Sequence, residues 1–165
     1  MKIRQEQDCD IEAIRQVTKA AFAGALHASG TEATIIDALR EANALALSLV
    51  AILDGELVGH VALSPVTIDG RSGSWFGLGP VSVRPDLQGQ EIGSKLIREG
   101  LRRLRETGAG GCVVLGEPGY YGRFGFCREE SLHYDGAPPE YFMTQAWDGP
   151  VPTGRVEYHP AFEGS

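Results

Sequence analysis

Gly79-Pro80-Val81-Ser82-Val83-Arg84-Pro85-Asp86-Leu87-Gln88-Gly89-Gln90-Glu91-Ile92-Gly93-Ser94-Lys95-Leu96 is the stretch that decides the fold. A β-rich run ends at Val83, a tight glycine-containing loop follows, and an amphipathic helix begins at Glu91. Over Glu91 to Glu106 the apolar residues Ile92, Leu96, Ile97, Leu101 and Leu104 share one face, and Lys95, Arg98, Glu99, Arg102, Arg103 and Arg105 cover the other. The arginines read as a solvated helix face. A helix N-terminus presents unpaired N–H groups and about half a positive charge, which suits a diphosphate. Glycine lets the backbone approach the phosphate oxygens closely.

Other phosphate loops fit poorly. The P-loop has four residues between its glycines and then Gly-Lys-Ser/Thr, whereas three residues separate Gly89 from Gly93 and Ser94 precedes Lys95. Gly77-Leu78-Gly79 lacks the third glycine of a dinucleotide fingerprint, because Ser82 stands there.

Working outward, Lys2 to Gln5 is a short first strand. Asp10 is a suitable N-cap for a helix with Ile11, Ile14, Val17, Thr18, Ala21 and Phe22 on one side. Small residues from Ala23 to Gly30 break it, and Thr31 caps a second helix bearing Ile35, Ile36 and Leu39. Ser48 to Leu53 and Glu56 to Ser64 are β-rich runs joined by Asp54-Gly55, a strong hairpin signal. Val66 to Ile68 extends the second of them past Pro65, and Gly70 to Gly73 turns the chain. Trp75 to Val83 is a third antiparallel run, bulged or unpaired near Pro80, which has no N–H for the ladder. Gly108 to Gly111 ends the long helix, Cys112 to Leu115 reads as a buried parallel strand, and Pro118 to Phe124 is a short helical segment. Tyr141 to Trp147 and Arg155 to Tyr158 are expected to form a final antiparallel pair. The order β-α-α-β-β-β-α-β-α-β-β predicts an α/β (mixed α+β) fold: one mixed, mostly antiparallel sheet with helices on both faces, in a single domain over residues 1–165.

Composition narrows the function. The chain has 165 residues, 42% of them hydrophobic and 22% charged, so it can bury a core and does not read as disordered. No run approaches the roughly eighteen apolar residues of a membrane helix. Met1-Lys2-Ile3-Arg4-Gln5 does not read as a secretion signal. Fifteen basic against twenty-two acidic residues leave a net charge of -7, which argues against a nucleic-acid partner. Cys9, Cys112 and Cys127 show no C-x-x-C pairing and fit reduced thiols in the cytoplasm, with Cys112 a buried structural residue. None of the four histidines has metal-ligand spacing, so no metal is expected.

The sequence resembles the GNAT superfamily of N-acetyltransferases, in particular a YhbS-like branch of predicted bacterial acetyltransferases. Gln88-Gly89-Gln90-Glu91-Ile92-Gly93 is similar to that superfamily's Gln/Arg-x-x-Gly-x-Gly/Ala turn. Leu78 to Val83 resembles the branch's fourth strand, and Leu115-Gly116-Glu117-Pro118-Gly119-Tyr120-Tyr121-Gly122-Arg123-Phe124-Gly125-Phe126 its fifth strand and fourth helix. The ending Tyr158-His159-Pro160-Ala161-Phe162 is similar too. One position departs: where the turn ordinarily has glycine, this chain has Glu91. A carboxylate about 6 Å from a phosphate opposes it by roughly 3 kcal/mol at an effective dielectric of 20, and by under about 1 kcal/mol if it points into water. With φ negative at 91, the backbone N–H stays available and cofactor binding is weakened rather than abolished.

The resemblance implies the GNAT acyl-CoA N-acyltransferase fold, acetyl-CoA as cosubstrate, and direct transfer to an amine of a small molecule or protein. It places the cofactor on Val81, Ser82, Val83, Gln88, Gly89, Gln90, Glu91, Ile92, Gly93, Ser94, Tyr121 and Phe124, with the pantetheine arm between the fourth strand and Cys112 to Leu115. Backbone N–H groups of Val81 to Val83 would polarise the thioester carbonyl. Tyr121, in Tyr-x-x-x-Gly-Phe spacing, is the candidate general acid; the alternative is a packed aromatic ring, the role read for Tyr120. Glu117 is the candidate base, or else a carboxylate capping the next turn. His27 falls in the loop expected to line the acceptor site and reads equally as a surface residue, while His60 reads as a sheet residue. The acceptor is expected between the Ala23 to Gly30 loop and Tyr134 to Trp147, where Tyr141, Phe142, Met143 and Trp147 either wall a pocket or pack. A non-catalytic acyl-CoA-binding module of the same fold is the alternative function. Monomer and homodimer both stay open.

Overall fold

The computed structural model describes residues 1–23 and 30–163. Strand β1 (Lys2–Gln5) is followed by helices α1 (Ile11–Phe22) and α2 (Glu32–Glu41). Strands β2 (Leu47–Leu53), β3 (Glu56–Ile68) and β4 (Arg71–Val83) lead into helix α3 (Ile92–Glu106). Strand β5 (Gly111–Leu115), helix α4 (Pro118–Tyr121) and strands β6 (Leu132–His133), β7 (Phe142–Ala146) and β8 (Gly154–Glu157) complete the chain. The main sheet runs β1-β2-β3-β4-β5-β7 and is antiparallel except at β4–β5.

Both hairpins are made by Asp-Gly turns with positive φ at each central residue: 51° and 78° at Asp54-Gly55, 52° and 76° at Asp69-Gly70. Such turns carry the right-handed twist of the strands they join. The second turn is therefore at Asp69-Gly70 rather than across Gly70 to Gly73, and Arg71 to Ser74 already belong to β4. Near Pro80 the register slips, from Leu63 opposite Leu78 to Val61 opposite Val81, so the missing N–H coincides with a bulge as expected.

Helix α3 buries Ile92, Leu96, Ile97, Leu101 and Leu104 against Val61, Leu63, Leu78, Cys112 and Val114 of the sheet. The approach is close: a Cβ on Gly59 of β3 would fall 2.9 Å from Leu96 Cδ1. Arg102 on the outer face pairs with Glu99 and Glu106, as a solvated face should. On the other side of the sheet, Ile14 of α1 and Ile36 of α2 pack on Val50. Asp10 occupies the N-cap position of α1, but its carboxylate turns away from the helix to Arg4 at 2.7 Å and to the Gln7 N–H.

The C-terminal strands differ from the expected hairpin. Strand β7 pairs with β5, and β8 pairs with the far end of β3 at Thr67 and Ile68 and in parallel with β6. Strand β3 outruns β2, whose pairing stops at Leu63, and the exposed length of β3 offers an edge that β8 takes. Val156 of β8 thereby packs with Val66 and Leu132 in a second core cluster.

Candidate active site

The parallel pairing of β4 and β5 runs only from Trp75–Gly111 to Leu78–Val114. Beyond it, Val81, Ser82 and Val83 pair with β3 alone. β5 continues to Leu115, paired with Phe142 on its other side. The sheet is thus split at the bulge, and alternate backbone groups of the Val81–Val83 segment face away from β3. A cleft of about 390 Å³ opens there, between the split, the turn after β4 and helix α4.

The turn is fixed from both ends. Arg84 bonds Asp86 at 2.7 Å and Glu56 at 2.8 Å, and the Gln88 side chain donates to Val83 O at 3.1 Å. Gly89 and Glu91 both lie in the left-handed region, at φ 82° and 69°. The first helical bond of α3 runs from Lys95 N to Glu91 O at 3.0 Å. The N–H groups of Ile92, Gly93 and Ser94 precede that bond and are the unsatisfied donors of the first turn. Here one expectation is corrected. Position 91 has positive φ, the conformation in which glycine is unstrained and other residues are disfavoured by Cβ crowding. The departure at Glu91 therefore involves the backbone as well as the charge.

Most of the residues expected to hold the cofactor meet in this cleft. Val81, Val83, Gln88, Gly89, Glu91, Ile92, Gly93, Ser94 and Tyr121 all line it. Three do not. Ser82 points to the opposite face, where its Oγ lies 3.5 Å from Thr18 Oγ1 of α1. Gln90 is exposed outside the lining. Phe124 is buried in the core beneath, with the Arg98 guanidinium 4.9 Å from its ring centroid. Ala21 and Phe22 from the end of α1, together with Leu87, Tyr120 and Arg123, line the cleft without having been assigned to the cofactor. Arg123 stood inside a quoted motif, yet only the docking of α4 against the start of α3 puts it at the turn.

Tyr121 lies on the cleft wall, its ring edge-on to Tyr120 at 5.0 Å and to Phe126 at 6.2 Å. Burial, with a smaller contribution from Tyr120, pushes its phenol up to about 12. It is a protonated donor throughout the neutral range. Glu117 sits at the N-cap of α4, exposed and outside the cleft lining, with its carbonyl accepting from Tyr120 and Tyr121 N–H. It holds the N-cap position by its backbone, and its carboxylate makes no capping hydrogen bond.

Cys112 is buried and its thiol is pushed up by burial, which suits packing and not nucleophilic attack. His60 is fully buried on β3, Nε2 2.8 Å from Ser48 Oγ, and burial lowers it to about 4. Ser48 in turn bonds Glu6, which Arg40 holds at 2.8 and 3.0 Å. That chain ties α2 to the sheet, as a structural histidine would. His27 lies outside the described residues. Phe142 and Met143 are buried in opposite core clusters, and Trp147 packs at the edge of one with its Nε1 donating to Gln145. Those three pack, whereas Tyr141 is exposed. Among the described residues no group of three or more His, Cys, Asp or Glu is placed to hold a metal ion, and no helix is long and apolar enough to cross a membrane.

A mixed sheet split at its parallel β4–β5 pair, with an amide-bearing turn at the mouth of the split, defines the acyl-CoA N-acyltransferase class of fold. The model of the acetyltransferase (GNAT) domain family matches residues 2–128, and the chain belongs to that family. It is 36% identical to the uncharacterized N-acetyltransferase YhbS of Escherichia coli K12, over 98% of each chain. A GNAT family acetyltransferase from Brucella melitensis, solved in complex with acetyl-CoA, is 52% identical with a TM-score of 0.88, over 98% of this chain and 97% of that one. The structure of Escherichia coli YhbS in complex with CoA is 34% identical with a TM-score of 0.90, over 98% and 91%.

Proposed function

We propose that the chain binds acetyl-CoA with its diphosphate on the Gln88–Ser94 turn and transfers the acetyl group directly to a primary amine. The observation that carries this reading is the coincidence, in one cleft, of the amide-bearing turn and the β4–β5 split. An extended pantetheine arm is strand-like in length and polarity, and backbone groups of Val81 to Val83 that face away from β3 can pair with it. The same groups offer N–H donors to the thioester oxygen as it gains charge. The acetyl-CoA complex of the Brucella melitensis protein and the CoA complex of YhbS support the cofactor.

The chemistry needs the nitrogen to shed two protons, one before attack and one after the C–N bond forms, and needs the departing thiolate to be stabilised. An alkyl amine with pKa near 10.4 is almost wholly protonated at neutral pH and must lose a proton before attack. Attack on the thioester carbon forms a C–N bond, and collapse of the tetrahedral species breaks the C–S bond. Tyr121 lines the cleft, and its hydroxyl stabilises the departing thiolate by a hydrogen bond. Full transfer from a phenol near 12 to an ordinary thiolate is uphill, so donation without complete transfer is the role its environment favours. With Cys112 inert, no acyl-enzyme is required. The acceptor is a small-molecule or protein amine reaching the split from the α1 side. Release of free CoA thiol across a panel of amines tests this function. Amine-dependent release is expected, and binding of acetyl-CoA with no release for any amine would make the chain a cofactor-binding module instead.

A further inference from the structure

We propose that Arg123 is a ligand of the cofactor's diphosphate, and that Glu91 holds it at the turn while the cofactor is absent. This rests on the acetyl-CoA reading of the cleft. Arg123 follows α4, and its Nη2 lies 3.2 Å from Glu91 Oε2 and 3.2 Å from Ser94 Oγ, over the first turn of α3. Its guanidinium carbon sits 5.2 Å from the Tyr120 ring centroid and 5.5 Å from that of Phe124, so aromatic rings fix where the fork is held. Both bonds use Nη2, which leaves the donors on Nη1 and Nε uncommitted by them. Arg123 lines the same cleft as Gly89, Glu91, Ile92, Gly93 and Ser94 of the turn.

Charge makes the arrangement necessary. Among the described residues that line the cleft Arg123 is the one cation, and without it a diphosphate bearing about two negative charges would meet Glu91 against the helix N-terminus alone. An ion pair whose side chains are 42% and 61% exposed is weak and readily exchanged for a stronger anion. A guanidinium matches phosphate oxygens with two donors at once. Cofactor binding therefore swaps the Glu91 carboxylate for the diphosphate on Arg123, and the departure from glycine at position 91 acts as a competitor for that side chain.

Calorimetric titration with CoA, 3′-dephospho-CoA and pantetheine tests this. Arg123→Gln is expected to weaken CoA and 3′-dephospho-CoA alike, roughly ten- to hundredfold, the range of one or two hydrogen bonds to an anion. Pantetheine, which has no diphosphate, binds both proteins equally, and Arg123→Lys recovers part of the loss. Glu91→Gln tightens CoA several-fold, and that gain disappears when Arg123 is already glutamine. Wild-type affinity for CoA in Arg123→Gln overturns the proposal, as does a loss confined to CoA, which would put the charge on the 3′-phosphate. A gain from Glu91→Gln of the same size in both backgrounds would remove the competition. If Arg123→Gln does not fold, Arg123→Lys with wild-type affinity and no sensitivity to Glu91→Gln gives the same negative. Failure of the unaltered protein to bind CoA would instead defeat the cofactor reading itself.

Discussion

The ring of Tyr121 lies so close to the α-carbon of Gly116 that any side chain at 116 would overlap it, the nearest ring atom being Cε2. The phenol is therefore positioned by a missing Cβ. Gly116→Ala should push the ring away from the split and cut turnover about tenfold or more, with cofactor affinity little changed, because a misplaced donor is lost to the transition state alone. Steady-state kinetics beside a CoA titration would check it, and unchanged turnover would mean that Tyr121 is not held there for chemistry.

Tyr121→Phe keeps the ring and removes the donor. The expected result is a fall in kcat on the order of 10²-fold with Kd for CoA within about twofold. Equal kcat for the two enzymes would leave Tyr121 as a packing residue.

Glu91→Gly relieves the left-handed backbone and removes the competing carboxylate together. The strain at a non-glycine residue in this region is about 1 kcal/mol, slightly offset by glycine's larger unfolded-state entropy. The variant should be no less stable to urea than the parent, although it loses the ion pair to Arg123, and should bind acetyl-CoA more tightly. Unchanged or weaker affinity would contradict the account of this position.

His60 predicts an acid limb in stability. Its folded value of about 4 lies below the ordinary 6.5, so between these pH values the unfolded chain is protonated at His60 and the folded chain is not. Stability then falls as pH drops through that window, by roughly 3 kcal/mol in all at 1.36 kcal/mol per unit. Glu6, lowered against the opposing effect of burial by Arg40 and Ser48, and Asp10, lowered by Arg4, lose their contributions as pH falls from the usual carboxylate range down through their lowered folded values. Urea melts of His60→Gln from pH 6.5 to 4 should lack the slope that the parent shows, and parallel slopes would assign it elsewhere.

Much of this was legible in the amino-acid sequence because it is local. The 3.6-residue spacing from Ile92 to Leu104, the Asp54-Gly55 hairpin and the Pro80 bulge each depend on neighbours a few residues away. The glycine-containing turn between β4 and α3 was legible for the same reason. What depended on tertiary pairing was not. Strand β8 sought the unused edge of β3, a choice set by the length of β3 relative to β2 and invisible in the residues of β8. Ser82 alternates away from the cleft because the bulge resets which residues face α1, and Phe124 is drawn under Arg98. Glu117 reads as a possible base by adjacency, and its exposed place outside the cleft lining follows from where α4 begins. The positive φ of Glu91 follows from how the turn joins β4 to α3, and residue identity there argued the other way.

The central claim is that the amides of the turn between Val83 and Lys95 receive a diphosphate. A crystal structure of the protein with acetyl-CoA tests it most directly. The expected complex has diphosphate oxygens about 2.7–3.2 Å from the N–H groups of the Gly89–Ser94 turn, with the thioester in the split between Val81 and Tyr121. A cofactor bound elsewhere, with that turn empty and Glu91 still on Arg123, would contradict it.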